Sequence, residues 1–140
     1  MSSDLLETCL KLWLDRRDIL VPVESPVAVD GNLFAVVLFR YQQFQVQLFI
    51  VKPGTVVPEH AHPEVDSFEV YLGGDIAFTL NGEPCNDQVI RVRPDTWHGA
   101  TIGERGGAFL SVQHWLNGRA PSTVADSWKA RDDTRRNYAP

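Results

Sequence analysis

The residues best equipped for chemistry are histidines. The segment Gly54-Thr55-Val56-Val57-Pro58-Glu59-His60-Ala61-His62-Pro63 contains a His-x-His pair. On an extended backbone successive side chains alternate, so both imidazoles point to one side. Two neutral imidazoles on one face are ready ligands for a first-row transition metal. A third, His98, lies in Pro94-Asp95-Thr96-Trp97-His98 at the start of a later strand-like run, and an antiparallel fold can bring it beside the pair. Nitrogen ligands of this kind favour iron, zinc, nickel, copper or manganese over calcium and magnesium.

Between these segments Ser67, Glu69 and Tyr71 alternate with Phe68, Val70 and Leu72. A carboxylate inside a barrel is costly unless it meets a cation, a hydrogen-bond donor or a metal, so Glu69 is a candidate acid or base. Tyr71 shares its alternation and is the second candidate catalytic residue. Trp97 and Tyr71 could wall a small substrate, but aromatics in a barrel are core first and pocket second. Gln45, Gln47 and Gln113 alternate with apolar neighbours. They either line the lumen and orient substrate oxygens or lie on an exposed sheet face. His114, in Ser111-Val112-Gln113-His114-Trp115, is either a contact to substrate or ligands or a packed or surface histidine. Arg40, Arg91 and Arg93 could anchor a carboxylate, but Ile90 and Val92 take the other face from Arg91 and Arg93, and the arginines read rather as solvent-facing, as does Glu64. Cys9 and Cys85 fit neither a CxxC site nor a disulfide framework.

The elements that must position these groups are mostly strands. Runs at 21–29, 33–41, 44–52, 67–72, 76–80, 88–93, 97–102 and 108–116 are separated by Asp30-Gly31-Asn32, Pro53-Gly54, Gly73-Gly74, Asn81-Gly82 and Gly103 to Gly107. Asn81-Gly82 is a hairpin signal. Eight or so short strands without intervening helices predict an all-β antiparallel barrel or jelly roll. Ahead of it, Leu5, Leu6, Cys9, Leu10, Trp13 and Leu14 form one helical stripe, with Ser3 or Asp4 as N-cap. The organisation expected is a packed N-terminal helix over residues 1–20, a barrel over 21–118 and a partly flexible C-terminal arm, a short helix or a tail, over 119–140.

At 140 residues, 44% hydrophobic and 22% charged, the chain has the length and composition of one globular domain. A formal charge of −5 argues against nucleic-acid partners. No run approaches the roughly 20 apolar residues that span a bilayer, and early acidic residues do not resemble a secretory signal. The expectations are a cytoplasmic protein, no membrane or nucleic-acid partner, and a small-molecule substrate.

The histidine segments resemble the two motifs of the cupin family. The family's first motif reads Gly, five residues, His-x-His, three or four residues, Glu, six residues, Gly; here Gly54, His60, His62 and Gly74 fall in register without a gap. Pro63, the Asn81-Gly82 turn, and Pro94 before His98 add to the likeness, which covers roughly residues 44–115. Ser67 stands where the family has its glutamate ligand. Pro94 and His98 are one residue closer than usual, and Ile102 replaces a common asparagine.

The resemblance implies a double-stranded β-helix with one divalent metal in its lumen, held by His60, His62 and His98, commonly in a homodimer. It turns Ser67 toward the lumen with Glu69 one step deeper, either as a displaced fourth ligand or as an orienting or acid–base group. Cupins with a three-histidine centre include ferrous dioxygenases, so Fe(II) and a dioxygenase are the leading expectation, with zinc, nickel or manganese possible. The alternatives are a non-redox lyase, isomerase or hydrolase, and a ligand-binding cupin without turnover.

Overall fold

Backbone hydrogen bonding in a computed structural model organises the chain into one antiparallel sheet system curled around an apolar lumen. The structure describes residues 31–116, 118 and 120–121, with the backbone of 21–22 and 129–130. Its strands are β1 (Val21–Pro22), β2 (Leu33–Tyr41), β3 (Phe44–Val51), β4 (Val56–Ala61), β5 (Val65–Leu80), β6 (Glu83–Cys85), β7 (Val89–Val92), β8 (His98–Trp115) and β9 (Lys129–Ala130). They pair in the order β1-β2-β3-β8-β4-β9, and β5 joins β8 to β6 and β7. The expected N-terminal helix lies outside the described residues. Of the C-terminal arm, Lys129 and Ala130 pair with Ala61 and His60.

Two pairs of expected strands are each a single long strand. The runs at 67–72 and 76–80 merge into β5, and those at 97–102 and 108–116 into β8, which pair with each other along most of their length. The glycines read as turns are bulges: register shifts fall between Tyr71 and Gly73 and between Gly74 and Ile76. Gly74 has φ +93°, and a Cβ there would overlap the Gly106 carbonyl oxygen and come 2.6 Å from the Gly107 Cα. Glycine permits the bend and the close approach at once, so the strands turn a barrel corner without breaking. β4, which carries His60 and ends just before His62, is not among the expected runs, and Trp97 precedes β8 instead of starting it. Asn81-Gly82 does form the β5–β6 hairpin, with φ of 51° and 80° at its two positions, the double positive φ of a type I′ turn.

Alternation gives the wall two different faces. Inward side chains Leu33, Phe49, Val51, Val57, Ile102 and Trp115 belong to one buried apolar cluster in the lumen. Leu48, Ile50 and Ala108 form a second cluster with Phe34, Val36, Leu72 and Leu110 on the opposite face. That outer face continues into exposed Phe39, Phe44, Phe68 and Val112. No helix among the described residues is long and apolar enough to cross a membrane.

Candidate metal centre

β4 and β8 pair so that His60 lies opposite His98, and His62 follows two residues on, just past the end of β4. The three rings are mutual neighbours, with centroids 4.3 Å apart for His60–His98 and 5.0 Å for each of the other pairs. One ligand atom from each lies within 4.8 Å of the others, and they are the metal-competent trio among the described residues. Local backbone geometry orients two of them. Nδ1 of His60 donates to the Pro58 carbonyl at 2.8 Å, and Nδ1 of His98 donates to the Thr96 carbonyl at 2.9 Å. A carbonyl can only accept, so each ring carries its proton on Nδ1 and leaves the Nε2 lone pair free, the tautomer a metal requires.

Electrostatics agree with that assignment. Burial holds the His60 pKa well below its ordinary 6.5, with repulsion from His98 adding to the effect and the Pro58 hydrogen bond opposing it. Burial likewise lowers His98 to about 4, against the Thr96 hydrogen bond and the Glu59 charge, which favour the cation. His60 and His98 are thus held neutral and, with His62 beside them, can offer ring nitrogens to one cation. The residues present therefore fit a divalent transition ion.

Glu69 lines the same cavity but is not part of the trio of ligand atoms. It is 8% exposed, and burial raises its carboxyl to about 7 against hydrogen bonds from Ser111 and Ser67. Both hydroxyls reach the same oxygen, Oε1, at 3.1 and 3.2 Å. Oε2 is buried and has no hydrogen-bond partner among the described residues. Of the two roles left open by the sequence, this placement fits an acid–base or orienting group better than a fourth ligand.

The remaining candidates separate. Ser67 is buried beside Glu69. Gln45, Gln47 and Gln113 are buried inside the barrel, not on an exposed face, yet they do not line the histidine cavity. Tyr71 does not reach it either: its hydroxyl donates to the Gly74 carbonyl at 2.7 Å, beside a separate hollow that includes Cys85. Trp97 is half-buried, does not line the cavity, and its carbonyl accepts from the Asn81 amide that starts the hairpin. His114 stacks on Phe44 at 4.6 Å, on the face opposite Gln113. Arg91 is exposed and pairs with Asp66 at 2.6 Å. Ser111 was missed. The alternation Phe109, Ser111, Gln113, Trp115 along one face of β8 is the signal that could have found it.

No protein-family model matches the chain, and no curated protein matches it. Solved structures do. A predicted oxalate decarboxylase from Thermotoga maritima is 20% identical with a TM-score of 0.60, over 72% of this chain and 97% of that one. A double-stranded β-helix protein from Klebsiella pneumoniae is 19% identical at 0.56, over 76% and 94%. KdgF from a Halomonas species is 16% identical at 0.55, over 72% and 82%. Strand order, lumen and these neighbours agree: the chain has the double-stranded β-helix fold.

Proposed function

We propose that this chain is a metal-dependent enzyme in which His60, His62 and His98 hold one divalent transition ion and Glu69 handles a proton. The observation that carries the reading is the convergence of three imidazoles, two of them held neutral by burial, beside a buried carboxyl whose pKa sits near neutrality. A general acid or base works best when its pKa lies close to the working pH. When bound, an Fe(II) ion would keep its full positive charge among neutral ligands and supply electrons for dioxygen chemistry.

The cavity is about 50 Å³ and is walled largely by apolar side chains, including Leu33, Phe49, Val57 and Phe109. At roughly 10–15 Å³ for each water-sized occupant it admits only a few such groups. The substrate is a small organic molecule with an apolar body and one polar head, the head meeting the histidines and Glu69. We favour dioxygenation of an enolate or thiolate. A second reading has support of its own: a carboxyl poised near pH 7 suits a lyase, isomerase or hydrolase that needs proton transfer and no electrons. The likeness in fold to a predicted oxalate decarboxylase is in keeping with it.

Oxygen uptake and anaerobic turnover separate the two. Iron-reconstituted protein screened against small diketones and thiols is expected to consume oxygen, and His60→Ala to abolish uptake. Turnover that persists without oxygen and with zinc would instead establish the non-redox reaction.

A further inference from the structure

The carboxyl of Glu69 is the inner end of a hydrogen-bond chain that begins at the protein surface. Nε and Nη2 of Arg40 donate to Oε1 of Gln45, Nε at 2.8 Å. Nε2 of Gln45 donates to Oε1 of Gln113 at 2.8 Å, and the Trp115 indole N–H donates to the same oxygen at 3.0 Å. Nε2 of Gln113 then donates to Oε1 of Gln47 at 2.9 Å and to the Ser111 hydroxyl at 3.1 Å. The Ser111 hydroxyl donates to Oε1 of Glu69.

The direction of this chain is forced. Guanidinium and indole nitrogens can only donate, so the oxygen of Gln45 must face Arg40 and the oxygen of Gln113 must face Gln45 and Trp115. The Gln113 NH₂ is thereby turned to Gln47 and Ser111. A hydroxyl has one proton; because Ser111 already accepts from Gln113, its proton goes to Glu69. Cross-strand register builds the arrangement, with Gln45 opposite Gln113, Gln113 opposite Ser67, and Ser111 opposite both Gln47 and Glu69. Oε1 of Glu69 thus accepts two hydroxyl protons, while Oε2 faces none.

We propose that Gln113 is a positioning residue for the site: by fixing the Ser111 hydroxyl on Oε1, it leaves Oε2 as the single oxygen of Glu69 that exchanges a proton with a bound ligand. The proposal deepens the reading of Glu69 as the proton-handling group and rests on it. It also limits the ligand, whose polar head must present a hydroxyl, a thiol or an anionic oxygen to Oε2, since Oε1 is already taken by the Ser67 and Ser111 hydroxyls.

The test uses the full-length, metal-free protein with glutamate carboxyls labelled in carbon-13. The C=O stretch of neutral Glu69 at acid pH is assigned by its loss in Glu69→Gln. In the unsubstituted protein the band is expected at the low-wavenumber side of the acid range, because the carbonyl oxygen is Oε1 with two donors. Gln113→Met and Ser111→Ala should each move it to higher wavenumber, the double variant no further than Ser111→Ala, and Ser111→Thr should restore it. An unmoved band in Gln113→Met, or an unbonded-acid band in the unsubstituted protein, overturns the proposal.

If Gln113→Met does not fold, the Gln113 side-chain amide in nitrogen-15-labelled Ser111→Ala decides. One of its two proton resonances should move upfield while the one bonded to Gln47 stays, and two unmoved resonances overturn the proposal. None of these readouts needs bound metal or turnover, so a failed enzymatic reading and a failed hydrogen-bond chain give different results.

Discussion

Replacing Glu69 by glutamine should make the metal-free protein more stable at alkaline pH than at acid pH, relative to the unsubstituted chain. Burial holds this carboxyl at about 7 against an ordinary 4.5. The folded state therefore binds the proton more tightly than the unfolded state. Its contribution to stability is full below about pH 4.5 and is lost as pH rises through 7. At about 1.4 kcal/mol per tenfold change in proton affinity, the loss is about 3 kcal/mol.

His60 and His98 have lowered values and act in the opposite sense, stabilising the fold as pH rises through 6.5. Absolute stability is then a sum of opposed trends, and only the difference between the two proteins isolates Glu69. Urea unfolding of both, from pH 4 to pH 8.5, should give a free-energy difference that changes by about 3 kcal/mol across the range. Any change in hydrogen bonding caused by the amide adds an offset that does not vary with pH. Parallel stability curves would refute the reasoning, because they would mean that Glu69 reaches water or a cation when folded.

Three further outcomes follow from the same geometry. Tyr71→Phe loses only the bond to the Gly74 carbonyl, so it should cost about 1 kcal/mol in unfolding experiments and leave metal content unchanged. Gly74→Ala forces a side chain onto the Gly106 carbonyl at a positive φ; a loss of more than about 2 kcal/mol in denaturant unfolding is expected, and a smaller one would mean that the bulge relaxes easily. Phe68 and Val112 are adjacent on β5 and β8 and exposed, and a homodimer is expected to cover such a face. Light scattering should report a dimer that Phe68→Asp converts to monomer, and a dimer that survives the change would place the contact elsewhere.

The parts of the molecule written in local pattern were legible in the sequence. The bounds of β2 follow from Leu33–Tyr41, the hairpin from Asn81-Gly82, and the meeting of His60 and His62 from strand alternation. What was not legible depends on contacts between distant strands. Gly73-Gly74 and Gly103 to Gly107 carry the composition of turns, and only the pairing of β5 with β8 makes them bulges in continuous strands. Tyr71 shares the alternation of Glu69 in sequence and in register, but its hydroxyl turns to the Gly74 carbonyl beyond the histidine cavity, a contact that only the folded backbone supplies.

The glutamines show the same limit from the other side. Polar residues at alternate positions usually mark a solvent face. Here Gln45, Gln47 and Gln113 are buried because each satisfies its neighbours' hydrogen bonds across the strands. That reciprocity is a property of register between strands that are distant in sequence.

The most direct test of the central claim is X-ray absorption on metal-reconstituted protein, with metal content measured in parallel for His60→Ala and His98→Ala. The account predicts one ion per chain with three imidazole nitrogens at about 2.0–2.2 Å, and loss of stoichiometric metal in either variant. An ion surrounded by oxygen alone, or full metal content in both variants, would contradict it.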